Sequence, residues 1–195
     1  MFFYPSDDFP SRRSYSLIEL AIVADEPVLT MQLIQRFNQS KLIEPEDSIV
    51  GGQYVNLAAH YEAAKAMEAL LAANIFLAAG TDQSADSALL FSRVFTEAGL
   101  KNIRMLVDSG ASIEAVVDGS PTPATYAASE GDLWKLQCLY LMGATLPSLD
   151  VVEKRLAEDR LLDSRNALEG VMDYLSDPQS NISEPVMNAC SPSST

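Results

Sequence analysis

The sequence is poor in the residue types that build chemical sites. Its 195 residues include one histidine, His60, and two cysteines, Cys138 and Cys190. A single histidine without a cysteine at ligand spacing does not make a metal site, and the cysteine spacing is not that of a disulfide framework. Cys138 falls in a predicted helix and Cys190 in a polar tail. We therefore expect two reduced thiols, no bound metal and no other cofactor.

Long apolar runs are also missing. The longest, over residues 69–79, is interrupted by Asn74 and is shorter than the roughly 20 residues that a membrane helix needs. The N-terminal segment has no basic start followed by a long apolar stretch, so we expect no ordinary secretory signal. These absences predict a cytoplasmic protein without a membrane partner, and they leave open delivery by a non-classical secretion system.

Basic residues are scarce relative to acidic ones. The chain has 13 Lys and Arg against 27 Asp and Glu, which gives a formal net charge of −14. Such a field repels nucleic-acid phosphates and attracts basic surfaces. Taken alone, the acidity is better explained by solubility. It also disfavours nucleic acid as a partner, and a protein with a basic patch is the more specific expectation.

The sequence does contain a helix-turn-helix pattern, which is clearest over residues 119–144. Thr122 and Pro123 are suited to the N-cap and first turn of a helix. Gly131 can end that helix with a positive φ, and Asp132 can cap the next one. The second helix has one apolar face, formed by Leu133, Leu136, Leu139 and Tyr140.

The same pattern recurs upstream in a degraded form. Its equivalent first-helix positions are spaced by 37, 36 and 33 residues, at Ala21, Ala58, Val94 and Ala127. In the second copy Glu62-Ala63 stands where Gly131-Asp132 forms the turn, so residues 54–78 form either two helices, which we favour, or one long helix. In the third copy Gly99 is predicted to break the helices.

The Thr122-Pro123 start, the Ala127-Ala128 pair and the polar Asp-Gly link before them resemble an ankyrin repeat more than a tetratricopeptide repeat. The resemblance is clearest over residues 101–146. It departs from the family at Ala124-Thr125, where a Leu-His pair is usual. The resemblance implies an all-α, ankyrin-like helical-repeat solenoid of about four helix pairs plus a C-terminal capping helix pair, with an extended hairpin joining successive repeats.

Four segments are expected on this basis. Residues 1–15 form an irregular lead-in, residues 16–146 the repeat array, residues 147–177 the C-terminal capping helices, and residues 178–195 a flexible tail. The capping pair is expected because a repeat array otherwise exposes its last apolar face. The tail is rich in Ser, Pro and Asn and has little to bury.

The resemblance also implies a non-enzymatic protein-protein interaction module that inhibits or regulates a partner protein, without a small-molecule substrate. It is compatible with a bacterial immunity protein that neutralises a cognate toxin, with a secreted effector that binds a host protein, and with a eukaryotic regulatory subunit. An enzyme is the less favoured class. Its only candidates are His60 and nearby acids, because no Ser or Cys is placed by a motif as a nucleophile.

Partner-binding residues follow from the surface positions that vary in the resembled family. On the concave side they are Val23, Ala24, His60, Tyr61, Thr96, Glu97, Ser129 and Glu130. The hairpin tip contributes Glu114, Val117 and Asp118. Trp134, the single tryptophan, joins them because exposed aromatic residues often anchor interfaces. Its alternative role is packing against a neighbouring repeat.

Overall fold

The chain is all-α in the part that the structure describes. The structure is a computed structural model that describes residues 16–39, 50–73, 83–117, 119–158, 162–179 and 181–191. Within these ranges the backbone forms eleven helices and no strand. They are α1 (Leu17–Val23), α2 (Pro27–Gln39), α3 (Val50–His60), α4 (Ala64–Ala72), α5 (Gln83–Phe91), α6 (Glu97–Asp108), α7 (Pro123–Glu130), α8 (Leu133–Leu141), α9 (Leu149–Glu158), α10 (Leu162–Ser176) and α11 (Glu184–Cys190). Across the described segments, no helix has the length and apolar character needed to cross a membrane.

The first ten helices form consecutive pairs that stack in chain order. The first helices of successive pairs contact one another from α1 to α9, and the second helices do so from α2 to α10. Apolar side chains from both rows form one continuous core, which includes Val55, Leu70, Ile103, Leu106 and Leu136. Sequential stacking of helix pairs agrees with a repeat array, and the ankyrin-like form of that array stays a prediction.

The fourth pair, α7 and α8, has the local structure that its sequence indicates. The Thr122 hydroxyl accepts a hydrogen bond from the backbone N–H of Thr125, with Pro123 in the first turn. Gly131 ends α7 with φ of +74°, and the Asp132 carboxylate caps α8 by accepting from the Lys135 N–H. These features are set by residues close in sequence, which is why the pattern predicted them.

The second pair consists of two helices, as favoured from the sequence. α3 ends at His60 and α4 begins at Ala64. Between them Glu62 adopts a φ of +54°, close to the +53° of Asp25 in the first pair. The left-handed region disfavours a residue with a Cβ by roughly 1–2 kcal/mol. Glu62 and Asp25 therefore take up a conformation that must be stabilised by other contacts.

The third pair differs from the prediction. Gly99 does not break the helices, because it lies inside α6, whose N-cap is Thr96. The break spans residues 92–96, so Val94 lies in the turn, and Ala85 and Ala88 are the buried small residues of α5. A Cβ at Gly99 would overlap the Glu62 carboxylate. This glycine therefore permits a close approach instead of ending a helix.

The C-terminal segment also differs from the prediction. α9 and α10 occupy the segment expected to cap the array. Where a flexible tail was expected over 178–195, however, the structure has α11, which packs on α6 and α8 and buries Val186 and Cys190. Cys190 forms a disulfide bond with Cys138 across a sequence separation of 52 residues. The expectation of two reduced thiols is wrong, because the fold brings together cysteines whose spacing suggests no pairing.

Replacing Gly131 with alanine should destabilise the protein for two reasons. The left-handed φ disfavours alanine, and the new Cβ would lie 2.9 Å from the Cβ of Ala167. Together these effects should lower the free energy of unfolding by roughly 2–4 kcal/mol in a urea titration. Gly119→Ala is the matched control, because Gly119 has a φ of +77° but nothing within 4 Å of the added Cβ. Equal losses for the two variants would contradict the packing contribution at Gly131.

Candidate functional site

The connections between the first and second helices of the first four pairs lie next to one another. We call this surface the turn edge, and it comprises residues 24–26, 61–63, 92–96 and 131–132. Hydrogen bonds between neighbouring pairs hold it together. In the first pair, the Asp25 carboxylate accepts a hydrogen bond from the Ala66 N–H at 2.9 Å, and the Lys65 ammonium lies 3.9 Å from it.

Glu62 joins the second pair to the third. Its Oε1 atom accepts hydrogen bonds from the backbone N–H groups of Phe95 and Thr96, the latter at 3.0 Å. Its Oε2 atom accepts the Thr96 hydroxyl at 2.7 Å. A carboxylate that accepts several N–H and O–H donors makes stronger hydrogen bonds than a neutral acceptor. These bonds provide a stabilising contact for Glu62 in its left-handed conformation.

Asp132 holds the same turn from the other side. Its Oδ2 atom accepts a hydrogen bond from the Val94 N–H at 2.9 Å, while Oδ1 accepts from the Lys135 N–H at 3.1 Å. Burial raises the pKa of the Asp132 carboxyl, and the Lys135 charge and both N–H donors act in the opposite direction. One side chain therefore caps α8 and ties the fourth pair to the third.

Lys135 bonds the carbonyl groups at the start of this turn. The lysine is only 1% exposed, and its ammonium donates hydrogen bonds to the Leu90 and Ser92 carbonyl oxygens at 2.8 and 2.7 Å. It also lies 5.7 Å from the centroid of the Tyr126 ring. Burial lowers its pKa from the ordinary 10.5 to about 8. Carbonyl groups at the end of α5 that have no partner within the helix thus accept hydrogen bonds from a side chain of α8.

These bonds fix the backbone of the α5–α6 turn, while the Phe95 side chain on that turn faces solvent. Phe95 is 71% exposed, and Tyr61, which precedes Glu62, is 39% exposed. The His60 ring packs edge-on against Tyr61 with centroids 5.0 Å apart. We call His60, Tyr61 and Phe95 the aromatic patch. An exposed aromatic residue on a well-bonded backbone loses little freedom on binding and so suits an interface anchor.

Charged side chains lie around the aromatic patch. A guanidinium nitrogen of Arg93 lies 4.0 Å from a carboxylate oxygen of Glu130, and both side chains are partly exposed. Packing of neighbours around His60 lowers its pKa below the ordinary value, and the positive charge of Arg93 lowers it further. The lowered pKa favours the neutral form of the His60 imidazole, which suits contact with a polar or apolar surface better than attraction of an anion.

The structure brings all eight predicted concave-side residues to or beside the turn edge. His60, Tyr61, Thr96 and Glu97 are exposed there around the second and third turns. The ends of α1 and α7 contribute the other four, which are Val23, Ala24, Ser129 and Glu130. Thr96 also has a structural role as the α6 N-cap. Their contribution to binding stays a prediction.

Sequence reasoning missed Phe95 and Arg93. The spacing of small residues aligns Val94 with the first helix of its repeat, and this alignment predicts a helix, not a surface turn, around Val94. A signal was present in Thr96, which is a better N-cap than any residue near Gly99. Using that cap would have placed Phe95 in an interhelical turn.

The predicted residues of the hairpin and Trp134 lie elsewhere. Residues 111–117 and 119–122 contain turns and no strand, so the described part of this link has no paired strands, and the extended hairpin stays a prediction. Glu114 is exposed, but its Oε1 atom accepts a hydrogen bond from the Thr145 N–H at 2.5 Å and links the third pair to the fourth. Val117 and Trp134 are half-buried. Asp118 lies outside the described residues.

Neither a metal-binding group nor a similarity to known proteins gives further information on the function of this site. Among the residues whose placement is described, no three His, Cys, Asp or Glu side chains form a group that could hold a metal ion. Comparisons of the chain with protein-family models, with curated proteins and with solved structures find no match. The argument for function therefore rests on the geometry of the turn edge.

Replacing Lys135 with methionine should change how stability depends on pH. The ammonium loses its proton near pH 8 in the folded protein but near 10.5 in the unfolded chain, so the unfolded chain binds more protons between these values. The free energy of unfolding of the wild type, relative to that of Lys135→Met, should therefore rise with pH across this window. Well above pH 8 the rise should be about 1.4 kcal/mol per pH unit. Urea titrations at several pH values measure the difference.

Lys65→Met is the control for this experiment, because it removes one positive charge from a solvent-exposed position. If the free energies of unfolding of the wild type and of Lys135→Met change with pH in parallel from pH 8 to 10.5, the lowered pKa of the buried Lys135 is contradicted.

Proposed function

We propose that this protein is a non-enzymatic binding module, built as an ankyrin-like array, that recognises another protein through its turn edge. The aromatic patch supplies the anchor, and the surrounding predicted residues supply the polar rim. The observation that carries this proposal is the 71% exposure of Phe95 on a turn whose backbone is bonded to three buried or partly buried side chains.

The structural role of those side chains supports the proposal. Glu62, Asp132 and Lys135 hold a five-residue turn in place, although the Phe95 side chain on that turn contributes nothing to the core. A solvent-exposed phenylalanine gains nothing in folding free energy from such an arrangement. Its exposure is consistent with a position where a partner buries it, because central aromatic residues contribute most of the binding free energy at many interfaces.

Electrostatics favour a basic partner surface. The net charge of −14 attracts a positively charged protein over a distance set by the ionic strength. Glu97 lies in the first turn of α6, two residues after Phe95, and the Glu130 carboxylate lies 4.0 Å from the Arg93 guanidinium. We infer a partner that offers an apolar pocket for Phe95 within a basic surround, and inhibition or regulation of that partner is the function this binding serves.

Alanine substitution of Phe95 tests the anchor. A tagged full-length protein is used to isolate its partner from the native source, and affinities of the purified pair are then measured by titration calorimetry. Phe95→Ala should weaken binding about 30-fold or more, since an anchor contributes at least about 2 kcal/mol. Its unfolding midpoint should match the wild type, because the ring is exposed.

Two other exposed apolar residues serve as matched controls. Met187 lies on α11 and is 46% exposed, and Leu29 lies on α2 in the first pair and is also 46% exposed. Met187→Ala and Leu29→Ala should leave affinity unchanged. If Leu29→Ala abolishes binding while Phe95→Ala does not, the binding surface lies at the N-terminal end of the array and the proposal fails. Affinity that is insensitive to salt would contradict the basic partner surface.

A further inference from the structure

We propose that the groove between α6 and α8 is a second, peptide-binding surface, occupied in cis by residues 181–191 and opened by reduction of the Cys138–Cys190 disulfide. The peptide that fits it is extended at its start, continues as a short helix, and presents apolar side chains four residues apart. This surface uses side chains from the middle of α6 and α8 and does not include the aromatic patch.

Gln137 contacts the C-terminal segment as a binding site contacts a peptide backbone. Its side chain is only 1% exposed, and its Nε2 atom donates to the Asn181 carbonyl at 2.7 Å. Its Oε1 atom accepts the Ser183 N–H at 3.3 Å and the Ser183 hydroxyl at 2.8 Å. One buried amide therefore pairs with a carbonyl and an N–H group of an extended stretch, as backbone-directed peptide recognition requires.

The helical part of the segment places its apolar side chains on the groove. Val186 and Cys190 are fully buried, and Ile182 packs against the core. Val186 and Cys190 are four residues apart and so share one face of α11, whereas Ile182 lies in the extended stretch before that helix. At the far end the Arg104 guanidinium donates to the Ser191 carbonyl at 3.0 Å. The contacts combine an extended lead-in with a helix seated in a groove.

The disulfide has a large influence on whether this segment stays in place. α11 has seven residues, and no side chain caps its N-terminus. Isolated helices of this length are not stable in water. Its fully buried side chains are Val186 and the disulfide-bonded Cys190. Without the covalent bond the segment depends on few contacts, so release from the groove becomes accessible.

Opening requires a dithiol reductant. One of its thiolates attacks a sulfur of the Cys138–Cys190 bond, which forms a mixed disulfide and releases the other cysteine as a thiolate. The second thiol of the reductant then displaces the first cysteine, leaving two protein thiols and one oxidised reductant. Both protein sulfurs are buried, so attack follows a local opening of α11.

The first test follows α11 in the full chain by hydrogen exchange. Treatment with a dithiol, and separately Cys190→Ser, should raise amide exchange over residues 184–190 by ~10-fold or more while leaving α3 and α7 unchanged. Unchanged exchange in α11 after verified reduction would overturn the proposal. Exchange that rises equally in α3 and α7 would also overturn it, because the disulfide would then hold the whole fold and not one segment.

The second test asks whether the groove binds a peptide in trans. The probe is a fluorescent peptide with the sequence of residues 181–191 and serine at position 190. Full-length protein carrying Val186→Asp and Cys190→Ser has an emptied groove and should bind the probe saturably, as measured by anisotropy. Oxidised wild-type protein should not bind it, and a probe carrying Val186→Asp should bind at least ~10-fold more weakly.

Failure of the emptied groove to bind the probe would overturn the peptide-binding surface. If the probe binds oxidised wild-type protein equally well, the disulfide does not govern access to the groove, and that part of the proposal is overturned. Phe95→Ala should leave probe binding unaffected, so this test is separate from that of the turn edge.

Discussion

Every interruption between two helices leaves backbone N–H and C=O groups without partners, and the structure depends on how these groups are satisfied. At the turn edge the donors and acceptors come from the neighbouring helix pair. Asp25, Glu62 and Asp132 accept N–H groups across pairs, and Lys135 donates to two carbonyls. The same hydrogen bonds therefore complete the turns and connect one helix pair to the next. The geometry of each turn and the stacking of the pairs depend on one set of contacts.

This arrangement gives part of the acidic composition a structural role. Glu62 and Asp132 stabilise the turns, and Glu114 links the third pair to the fourth. These carboxylates are therefore not only a source of solubility or of attraction for a partner. Their bonding also leaves Phe95 in solvent on a backbone held at several points, and that combination underlies the proposed binding function.

The sequence predicted the features that depend on neighbouring residues. Thr122 and Gly131 have strong local preferences for caps and left-handed turns, and the structure has them in these roles. Phe95 was missed because an alignment on small residues put Val94 inside a helix. The docking of α11 and the bond between Cys138 and Cys190 were missed for a different reason. They depend on which distant surfaces the fold brings together, and neither composition nor spacing encodes that directly.

The most direct test of the account is residue-resolved amide hydrogen exchange at Val94, Phe95 and Thr96 in the native protein. The account predicts that all three amides are strongly protected although the turn lies at the surface, because each donates to a carboxylate of a neighbouring pair. It also predicts that Glu62→Ala removes protection at Phe95 and Thr96 but leaves it at Val94, which donates to Asp132. Exchange of these amides at the rate of an unstructured loop in the wild type would contradict the central claim.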